Sequence, residues 1–280
     1  MVTITDVMQL AGRDGGIFVP TMGALHEGHG SLIREAARRR DAETAAGGRR
    51  RDVVVSIFVN RTQFNDPADF ARYPKTLDAD LAICQECGAD AVFVPEHETV
   101  YPPGQVVAVP DLPAAARLPR LEDALRPGHF EGVCQVVRRL FAMVRPARAI
   151  FGEKDWQQLA VIAAMTTELG LGIEIIPGPT IREADGLAMS SRNRFLTSAE
   201  RVTAGALWRA LRAAGAEATP ERGEAAMAEV LQAAGLEIQY AVLRDAATLG
   251  PVASGRPARA LIACRLGAVR LIDNAPWPMG

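Results

Sequence analysis

The feature that most constrains the fold is the alternation of short apolar segments with helix-like segments over the first two-thirds of the chain. The predicted strands are 15–21, 52–60, 89–95, a strand that ends near Phe151, and 172–181. The predicted helices between them are 29–40, 76–87, 132–146 and 155–170. Strand 52–60 is apolar throughout, as expected when a parallel sheet is covered on both faces. With right-handed crossovers, this pattern predicts an α/β fold with a Rossmann-like, doubly wound parallel sheet.

The pattern changes after about residue 182. Two alanine-rich helical segments, 198–214 and 220–235, are followed by the strand-like sequence EIQYAVLRD. Two further strand-like runs meet around Leu266-Gly267 and predict a hairpin. We therefore predict a Rossmann-like domain in residues 1–182 and a smaller C-terminal α+β domain in residues 183–280.

The net charge of −2 provides no overall basic field for nucleic acid or an acidic membrane surface. The basic runs 38–40 and 49–51 are local, and we interpret them as a solvated helix end and a loop around an inserted segment. No secretory leader and no apolar run of bilayer-spanning length is found in the sequence. We expect a cytoplasmic protein without nucleic-acid or membrane partners.

Cys84 and Cys87 have the spacing of a redox or zinc motif, but no second Cys or His pair lies at the distance of a zinc finger. Their surroundings are typical of the last turn of an amphipathic helix that ends at Gly88. We therefore expect reduced thiols in this turn.

Polar residues follow four of the predicted strands. They are His26 and His29 after the first, Asn60 and Gln63 after the second, Lys154 after the fourth, and Arg182 after the fifth. In open parallel sheets, ligands bind at the carboxyl ends of the strands, near the switch point of the strand order. These residues therefore predict one site at that edge.

The segment FVPTMGALHEGH places two histidines and several glycines at the start of a predicted helix. The N–H groups and dipole of a helix N-terminus suit phosphate, and Gly23 and Gly28 lack a Cβ that would hold a ligand away. An imidazole can donate a hydrogen bond to phosphate and, when protonated, neutralise developing charge. Alternatively, His26 and His29 cap the helix and contact no ligand. The motif GxxxxGK[ST] is absent, which excludes a Walker loop.

PTMGALHEGHGSLI resembles the HxGH element of the nucleotidylyltransferase superfamily, and the wider sequence resembles the pantoate–β-alanine ligase family. The other matching blocks are SIFVNRTQF (56–64), YPKT (73–76), LRPGHFEGV (125–133), FGEKDWQQL (151–159) and READGLAMSSRNRFL (182–196). They occur in the family's order and cover roughly residues 15–200. HxGH alone indicates only the superfamily, whereas HEGH, GEKDxQQ and MSSRN together are specific. Arg61 departs from the family's usual proline and predicts a less rigid loop.

The resemblance implies an ATP-dependent ligase that makes pantothenate, a coenzyme A precursor, from pantoate and β-alanine. The pantoate carboxylate attacks the α-phosphate of ATP to form pantoyl adenylate and pyrophosphate. The amine of β-alanine then attacks the acyl carbon and releases AMP. A homodimer is implied as well, with 1–182 binding nucleotide and pantoate and 183–280 acting as a lid.

The resemblance also implies the residues of the site. ATP-binding residues are Met22, Gly23, Ala24, Leu25, His26, Glu27, Gly28, His29, Gly152, Glu153, Lys154, Asp155, Ile181, Met189, Ser190, Ser191 and Arg192. Of these, the catalytic residues are His29 as proton donor, His26, Lys154 and Arg192. Lys154 would place a point charge on phosphate, and Arg192 a forked guanidinium. Pantoate is expected at Gln63 and Gln158, with Asn60 and Arg126 beside them.

ATP is expected to bring Mg²⁺, which usually keeps several waters and contacts one or two carboxylates. Asp80 is the first candidate ligand and Asp78 the second. Alternatively, both are acids at a helix N-terminus that are stabilised by the dipole. The sequence leaves this choice open.

Two other functions fit parts of the pattern. Another HxGH enzyme could transfer a nucleotide to a phosphate and stop, but Gln63 and Gln158 argue against it. A silent nucleotide-binding module would not need the two histidines together with Lys154 and the Ser-Ser-Arg sequence. The ligase is therefore the favoured hypothesis.

Overall fold

The computed structural model describes residues 1–65 and 67–279, and the chain divides into two compact units. The first unit comprises Met1–Glu153 and Val161–Pro179, and the second comprises Lys154–Ala160 and Thr180–Gly280. Lys154–Ala160 thus belongs to the second unit although it directly follows a strand of the first. The roles of the two domains as substrate-binding domain and lid remain predictions.

The first unit is built on a six-stranded sheet in which neighbouring strands are parallel. The strands are β1 (Val2–Ile4), β2 (Ile17–Thr21), β3 (Val53–Ile57), β4 (Ala91–Phe93), β5 (Arg148–Gly152) and β6 (Glu174–Gly178). Their order is β1-β4-β3-β2-β5-β6, which places the switch point between β2 and β5. This confirms the predicted doubly wound sheet. Strand β1 was missed because three residues are too few to show a period, and it is completed by pairing with β4.

In the described part of the first unit, seven helices connect the strands. They are α1 (Glu27–Ala45), α2 (Pro67–Arg72), α3 (Leu77–Glu86), α4 (His97–Val100), α5 (Glu122–Leu125), α6 (His129–Val144) and α7 (Trp156–Glu168). The first turns of α7 belong to the second unit. Short 3₁₀ helices at Arg61–Gln63 and Glu153–Asp155 follow β3 and β5 and carry predicted site residues.

Helix α1 continues to Ala45, through much of the segment interpreted as an insertion. Arg40 is therefore in the middle of the helix, and its side chain is only 10% exposed. Its guanidinium donates to Asp90 at 2.7 Å and to the Gly88 carbonyl at 3.0 Å. The expectation of a solvated basic helix end is wrong for this residue, because an aspartate and a backbone carbonyl on the neighbouring chain segment pair with it.

The core of the first unit fixes where α1 begins. Leu32, Ile33 and Ala36 of α1 share one buried cluster with Val53 and Val55 of β3. Full burial of a side chain such as leucine or isoleucine contributes about 1.5–3 kcal/mol. This packing holds the N-terminus of α1 just beyond the carboxyl end of β2.

The second unit packs three helices against an antiparallel three-stranded sheet of order β7-β8-β9. Its elements are α8 (Ser198–Ala204), α9 (Ala206–Gly215), α10 (Pro220–Ala233), β7 (Glu237–Asp245), β8 (Ala258–Leu266) and β9 (Val269–Trp277). The turn of the predicted hairpin is confirmed, and the predicted helix 198–214 is divided at Gly205. Nowhere in residues 1–65 and 67–279 is a helix both long and apolar enough to span a membrane.

Helix α3 ends as predicted, with Cys87 as its C-cap and Gly88 at a φ of 91°. The four cysteines are free and buried. Burial raises the pKa of Cys84 to about 12, which keeps its thiol protonated at neutral pH. Among the described residues, no group of three or more His, Cys, Asp or Glu side chains could hold a metal ion.

Candidate functional site

The two histidines of HEGH form the N-terminal cap of helix α1. His26 is the N-cap residue, and its Nδ1 accepts the Gly28 N–H at 3.1 Å. The His26 N–H donates to His29 Nδ1 at 3.3 Å, and the ring centroids are 4.2 Å apart. The capping role that the sequence left open is therefore present. Because Nδ1 of each ring accepts an N–H, each neutral imidazole carries its proton on Nε2 and can act as a donor there.

The loop before these histidines is held by Asp80, a residue of α3 that is 2% exposed. Its carboxylate accepts the N–H groups of Ala24 at 3.0 Å and Leu25 at 2.8 Å, and the Thr76 hydroxyl at 3.1 Å. Gly23 has a φ of +82°, and a Cβ there would lie 3.0 Å from Asp80 Oδ2. Glycine at position 23 is thus required by the backbone conformation and by the approach of Asp80.

Asp80 and Asp78, the predicted magnesium ligands, differ in their contacts. Both oxygens of Asp80 accept hydrogen bonds from the loop or from Thr76, and Asp78 is exposed on the first turn of α3. Among the described residues, neither acid belongs to a group of three or more His, Cys, Asp or Glu side chains that could hold a metal ion. A magnesium role for Asp80 or Asp78 remains a prediction, and the observed role of Asp80 is to shape the loop.

Asn60 is 1% exposed and organises the turn after β3. Its Nδ2 donates to Gln63 Oε1 at 3.2 Å and to the Gly132 carbonyl at 3.1 Å. Its Oδ1 accepts the hydroxyls of Tyr101 at 2.9 Å and Thr62 at 3.0 Å. Burial raises the pKa of Tyr101, so the phenol remains a donor. The amide of Asn60 therefore orients Gln63.

Gln63 joins two of the predicted groups of site residues. Its Nε2 donates to Met22 Sδ at 2.7 Å, which places a predicted pantoate-binding amide beside the predicted ATP-binding loop. The turn is a regular 3₁₀ helix with Asn60 as its N-cap, so Arg61 does not disrupt it. The structure thus brings Gln63 and Met22 together within the first unit.

The block LRPGHFEGV packs against this turn. A Cβ on Gly132 would lie 2.6 Å from the Thr62 carbonyl oxygen, so only glycine permits the observed approach of α6. His129 Nδ1 lies 2.9 Å from the Gln63 carbonyl, and Arg126 donates to the same carbonyl at 3.4 Å. Arg126 also lies 3.7 Å from Glu122. His129 and Tyr101 were missed by sequence reasoning, because no short-range pattern distinguishes them from other buried residues.

The GEKD block follows β5 and contains the boundary between the two units. Gly152 pairs with Gly178 of β6, and a Cβ on Gly178 would lie 2.1 Å from Leu32 Cδ2. Glycine at this sheet edge therefore makes room for α1. In the second unit, the carbonyl of Lys154 accepts the Asn274 amide at 2.8 Å.

Three other predicted residues of this block differ in exposure. Asp155 is exposed, while Glu153 and Gln158 are half-buried. None of the three side chains is fully buried, so each has surface that a ligand could contact.

The segment from Ile181 to Arg192 is a compact turn in the second unit. The Met189 N–H donates to the Ile181 carbonyl at 2.9 Å, so this carbonyl already has one partner. Ser190 is the N-cap of the 3₁₀ helix Ser191–Phe195, and its Oγ accepts the Arg192 N–H at 3.3 Å. The cap holds the Ser-Ser-Arg sequence in one local conformation, with the three side chains half-buried.

Arg182, predicted at the sheet edge, is bound within the second unit. Its guanidinium donates to both oxygens of Asp273, at 2.6 and 3.0 Å, and to the Asn274 carbonyl at 3.1 Å. It also lies 3.9 Å above the ring of Trp208. These contacts give Arg182 a structural role, because they occupy the fork that a ligand would need.

Comparisons with known proteins agree along the whole chain. A family model for pantoate–β-alanine ligases matches residues 3–276. A pantothenate synthetase of Rubrobacter xylanophilus is 50% identical over 276 residues, which are 93% of this chain and 90% of that protein. One from Nocardioides is 47% identical over 291 residues, which are 100% of this chain and 84% of that protein.

Solved structures are similar as well. The crystal structure of pantothenate synthetase from Thermus thermophilus is 41% identical, with a TM-score of 0.88 over 98% of this chain and 99% of that one. The pantoate–β-alanine ligase of Francisella tularensis, complexed with β-γ ATP and β-alanine, is 32% identical. Its TM-score is 0.78 over 100% of this chain and 99% of that one.

Proposed function

Because the chain belongs to the pantoate–β-alanine ligase family, we propose that it makes pantothenate from pantoate and β-alanine through a pantoyl-adenylate intermediate. ATP is the energy source, and the Francisella relative supports ATP and β-alanine as substrates. The observation that carries the adenylation step is the cap of α1. There, two imidazoles with Nε2–H donors lie at a helix N-terminus, and the neighbouring loop contacts the Gln63 amide.

In the first step, an oxygen of the pantoate carboxylate forms a bond to the α-phosphorus of ATP. The bond from that phosphorus to the bridging oxygen breaks, and pyrophosphate leaves. His29 donates a proton or hydrogen bond from Nε2 to the phosphate oxygens, and His26 assists with its own Nε2–H. The positive end of the α1 dipole favours the same negative charge.

Four other predicted residues supply further donors and charge in this proposal. Lys154 and Arg192 neutralise phosphate charge, and the hydroxyls of Ser190 and Ser191 donate hydrogen bonds. The remaining residues of Met22–His29 and of the GEKD and MSSRN blocks contact the nucleotide, and Ile181 contacts adenine through its backbone. These assignments rest on the family motifs GEKD and MSSRN.

Pantoate is bound by the amides of Gln63 and Gln158. Amides can hold a hydroxyl and a carboxylate by hydrogen-bond geometry without adding charge. Asn60 acts by orienting Gln63, and Arg126 lies close enough to the Gln63 carbonyl to support the same turn.

In the second step, the amine of β-alanine attacks the acyl carbon. A C–N bond forms, the bond from carbon to the phosphate oxygen breaks, and AMP leaves while the amine loses a proton. Asp80 and Asp78 are the candidate carboxylates for Mg²⁺, which would neutralise charge on the triphosphate when bound with ATP. A homodimeric state and a cytoplasmic location are proposed from the family resemblance alone.

The adenylate is tested by isotope exchange. With pantoate and without β-alanine, the protein should exchange labelled pyrophosphate into ATP. Pantoate labelled with ¹⁸O in its carboxylate should transfer one label to AMP when β-alanine is added. Exchange that needs β-alanine, or AMP without label, would contradict the adenylate. A pantoate analogue that lacks one of the two hydroxyls should exchange more slowly if that hydroxyl is a partner of the glutamine amides.

A further inference from the structure

Strand β9 carries two adjacent polar residues that are almost completely buried, Asp273 and Asn274, each 2% exposed. Successive side chains of a strand point to opposite faces of the sheet, so the two residues have different neighbours. Asp273 binds Arg182, at the start of the segment that leads to Ser190. The amide of Asn274 contacts Lys154, the residue proposed to neutralise phosphate charge. The pair therefore holds both phosphate-binding segments proposed for the second unit.

The amide of Asn274 has one orientation because of its partners. Its Oδ1 accepts Arg259 Nε at 2.6 Å, and its Nδ2 donates to the Lys154 carbonyl at 2.8 Å. A guanidinium can only donate and a backbone carbonyl can only accept, so exchanging the amide oxygen and nitrogen would break both bonds. The amide thus connects a fixed cation to the backbone of Lys154.

Arg259 also holds the residue two positions after Lys154. Its guanidinium carbon lies 3.5 Å from the centroid of the Trp156 ring, and the indole Nε1 donates to the Ala246 carbonyl at 3.0 Å. The segment is consequently held at the Lys154 carbonyl and at the side chain of Trp156, two positions further along. Both supports come from the sheet of the second unit.

We propose that Asn274 is a positioning residue for the adenylation reaction, acting through Lys154. This inference rests on the proposed function, in which the Lys154 ammonium neutralises phosphate charge. The direction of the lysine side chain depends on the orientation of its own peptide unit, which the Asn274 amide holds. A misplacement of about 1 Å can cost roughly 10²-fold in rate, so a single backbone hydrogen bond can matter for catalysis.

A purely structural role for Asn274 is the competing explanation. Loss of a buried hydrogen bond lowers the stability of the protein in either case, so melting temperatures cannot distinguish the two. Coupling to Lys154 can distinguish them. In Lys154→Ala the backbone carbonyl is still present, so a structural contribution of Asn274 persists, whereas a contribution made through the ammonium disappears.

The experiment is a double-mutant cycle between Asn274→Asp and Lys154→Ala in the full chain. Asn274→Asp keeps an oxygen for Arg259 but removes the donor to Lys154, and Asn274→Ala is the second variant if the first does not fold. The rate of pantoate-dependent pyrophosphate exchange is measured, together with β-alanine use from isolated pantoyl adenylate. Gln239→Ala is the matched control, because it breaks the 2.7 Å bond from Arg270 to Gln239, in the same sheet.

We expect Asn274→Asp to lower exchange roughly 10- to 100-fold in the wild-type chain. In the Lys154→Ala chain the same substitution should change exchange by less than about twofold. Use of isolated adenylate should change less than exchange does, and Gln239→Ala should have no effect beyond about twofold in either chain. An equal decrease in both chains would overturn the proposal, as would a Lys154→Ala chain with wild-type exchange. Failure of the proposed function is seen separately, as absence of exchange by the unmodified protein.

Discussion

Two segments that are proposed to bind ATP phosphates are positioned by different means. In the first, His26 and His29 bond to backbone groups two or three residues away, and the bonds form the cap of a helix. In the second, the backbone of Lys154 is held by Asn274, which is 120 positions away in the sequence. The helix cap of the first segment is therefore formed by neighbours in the chain, although Asp80 holds the loop before it, whereas the second segment depends on a completed sheet.

The difference has a consequence for the two kinds of side chain. An imidazole has two nitrogens, so one can serve the helix cap while the other carries the chemistry. A lysine ammonium lies at the end of a flexible four-carbon chain, so the placement of its backbone helps to decide where the charge lies. The effect of a substitution at the histidine segment should accordingly depend on nearby residues of the helix cap. The effect of a substitution at Lys154 should depend on Asn274.

The largest effect is expected at His29. We expect His29→Ala to lower the rate of adenylate formation by roughly 10²–10⁴, because a positioned donor to the phosphate is lost. The rate is measured by pantoate-dependent pyrophosphate exchange. Circular dichroism should show that the fold is kept, since a single cap bond contributes only about 1 kcal/mol.

Two amide substitutions separate capping from chemistry at this position. The amide of His29→Asn ends near the position of Nδ1 and can accept the His26 N–H, whereas the amide of His29→Gln reaches toward the position of Nε2. If the chemistry resides at Nε2, the glutamine variant retains more exchange activity than the asparagine variant. The reverse order, or normal turnover of His29→Ala, would leave His29 with a capping role only.

The second effect concerns Lys154. We expect Lys154→Ala to slow pyrophosphate exchange by roughly 10²-fold, a value typical for loss of one charged or hydrogen-bonding stabiliser. Use of β-alanine with isolated pantoyl adenylate should be reduced less. The chain has one other lysine, the exposed Lys75, and Lys75→Ala serves as control for the loss of a positive charge. Equal reduction of both half-reactions would contradict a role specific to adenylation.

A smaller effect is expected for substitution of Asp80. It tests how far the histidine segment depends on a residue that is distant in the sequence. Asp80→Asn replaces an acceptor of two backbone N–H groups by an amide with one acceptor, and we expect a loss of about 1–3 kcal/mol of stability. Chemical denaturation measures this loss. The exposed neighbour Asp78 is the control, because both acids interact with the dipole of α3 but only Asp80 holds the loop.

The same pair of variants addresses magnesium. If Asp80 binds the ion, Asp80→Asn raises the Mg²⁺ concentration required for half-maximal exchange. If it only shapes the loop, the requirement is unchanged while stability falls. Equal destabilisation by Asp78→Asn and Asp80→Asn would mean that the dipole, and not the loop contact, accounts for the effect.

The smallest effect is expected on the pH dependence of stability. The prediction compares two carboxylates, Asp90 in the first unit and Asp185 in the second. Burial opposes ionisation of Asp90, but the Val53 N–H, Arg50 and Arg40 outweigh it and hold its pKa below the usual value of 3.8. The pKa of Asp185 is also below 3.8, chiefly because Arg201 donates a hydrogen bond to its carboxylate.

Because each folded-state pKa is lowered, each carboxylate stabilises the protein above pH 3.8, its unfolded-state value. This contribution is lost as the pH falls through the folded-state pKa. The side chain of Asp90 is 17% exposed and that of Asp185 is 44% exposed, so solvent screens Asp185 more. Acid titration of the free energy of unfolding should therefore be flattened more by Asp90→Asn than by Asp185→Asn. The opposite order would show that burial of the ion pair does not govern its contribution.

Much of the fold and part of the site could be predicted from local patterns. The parallel sheet, the helix that follows HEGH, the end of α3 and the C-terminal hairpin all have short-range signals. Strand β1 could not be found in this way, since it exists through pairing with β4. The role of Arg182 was also hidden, because its partner Asp273 lies 91 positions away.

The sequence by itself determined the alternation of strands and helices, the caps and glycines at strand ends, and the motifs that identify the family. Each of these depends on residues within a few positions of one another, where backbone conformation and periodicity are decided. Only the tertiary structure decided that Asp80 shapes the histidine loop, that Asn60 orients Gln63 and that Asn274 holds Lys154. The contacts of Asn274 and Asp80 join parts of the chain that are distant in sequence. In all three cases the hydrogen-bond partner is determined by packing, and no local pattern of residues specifies it.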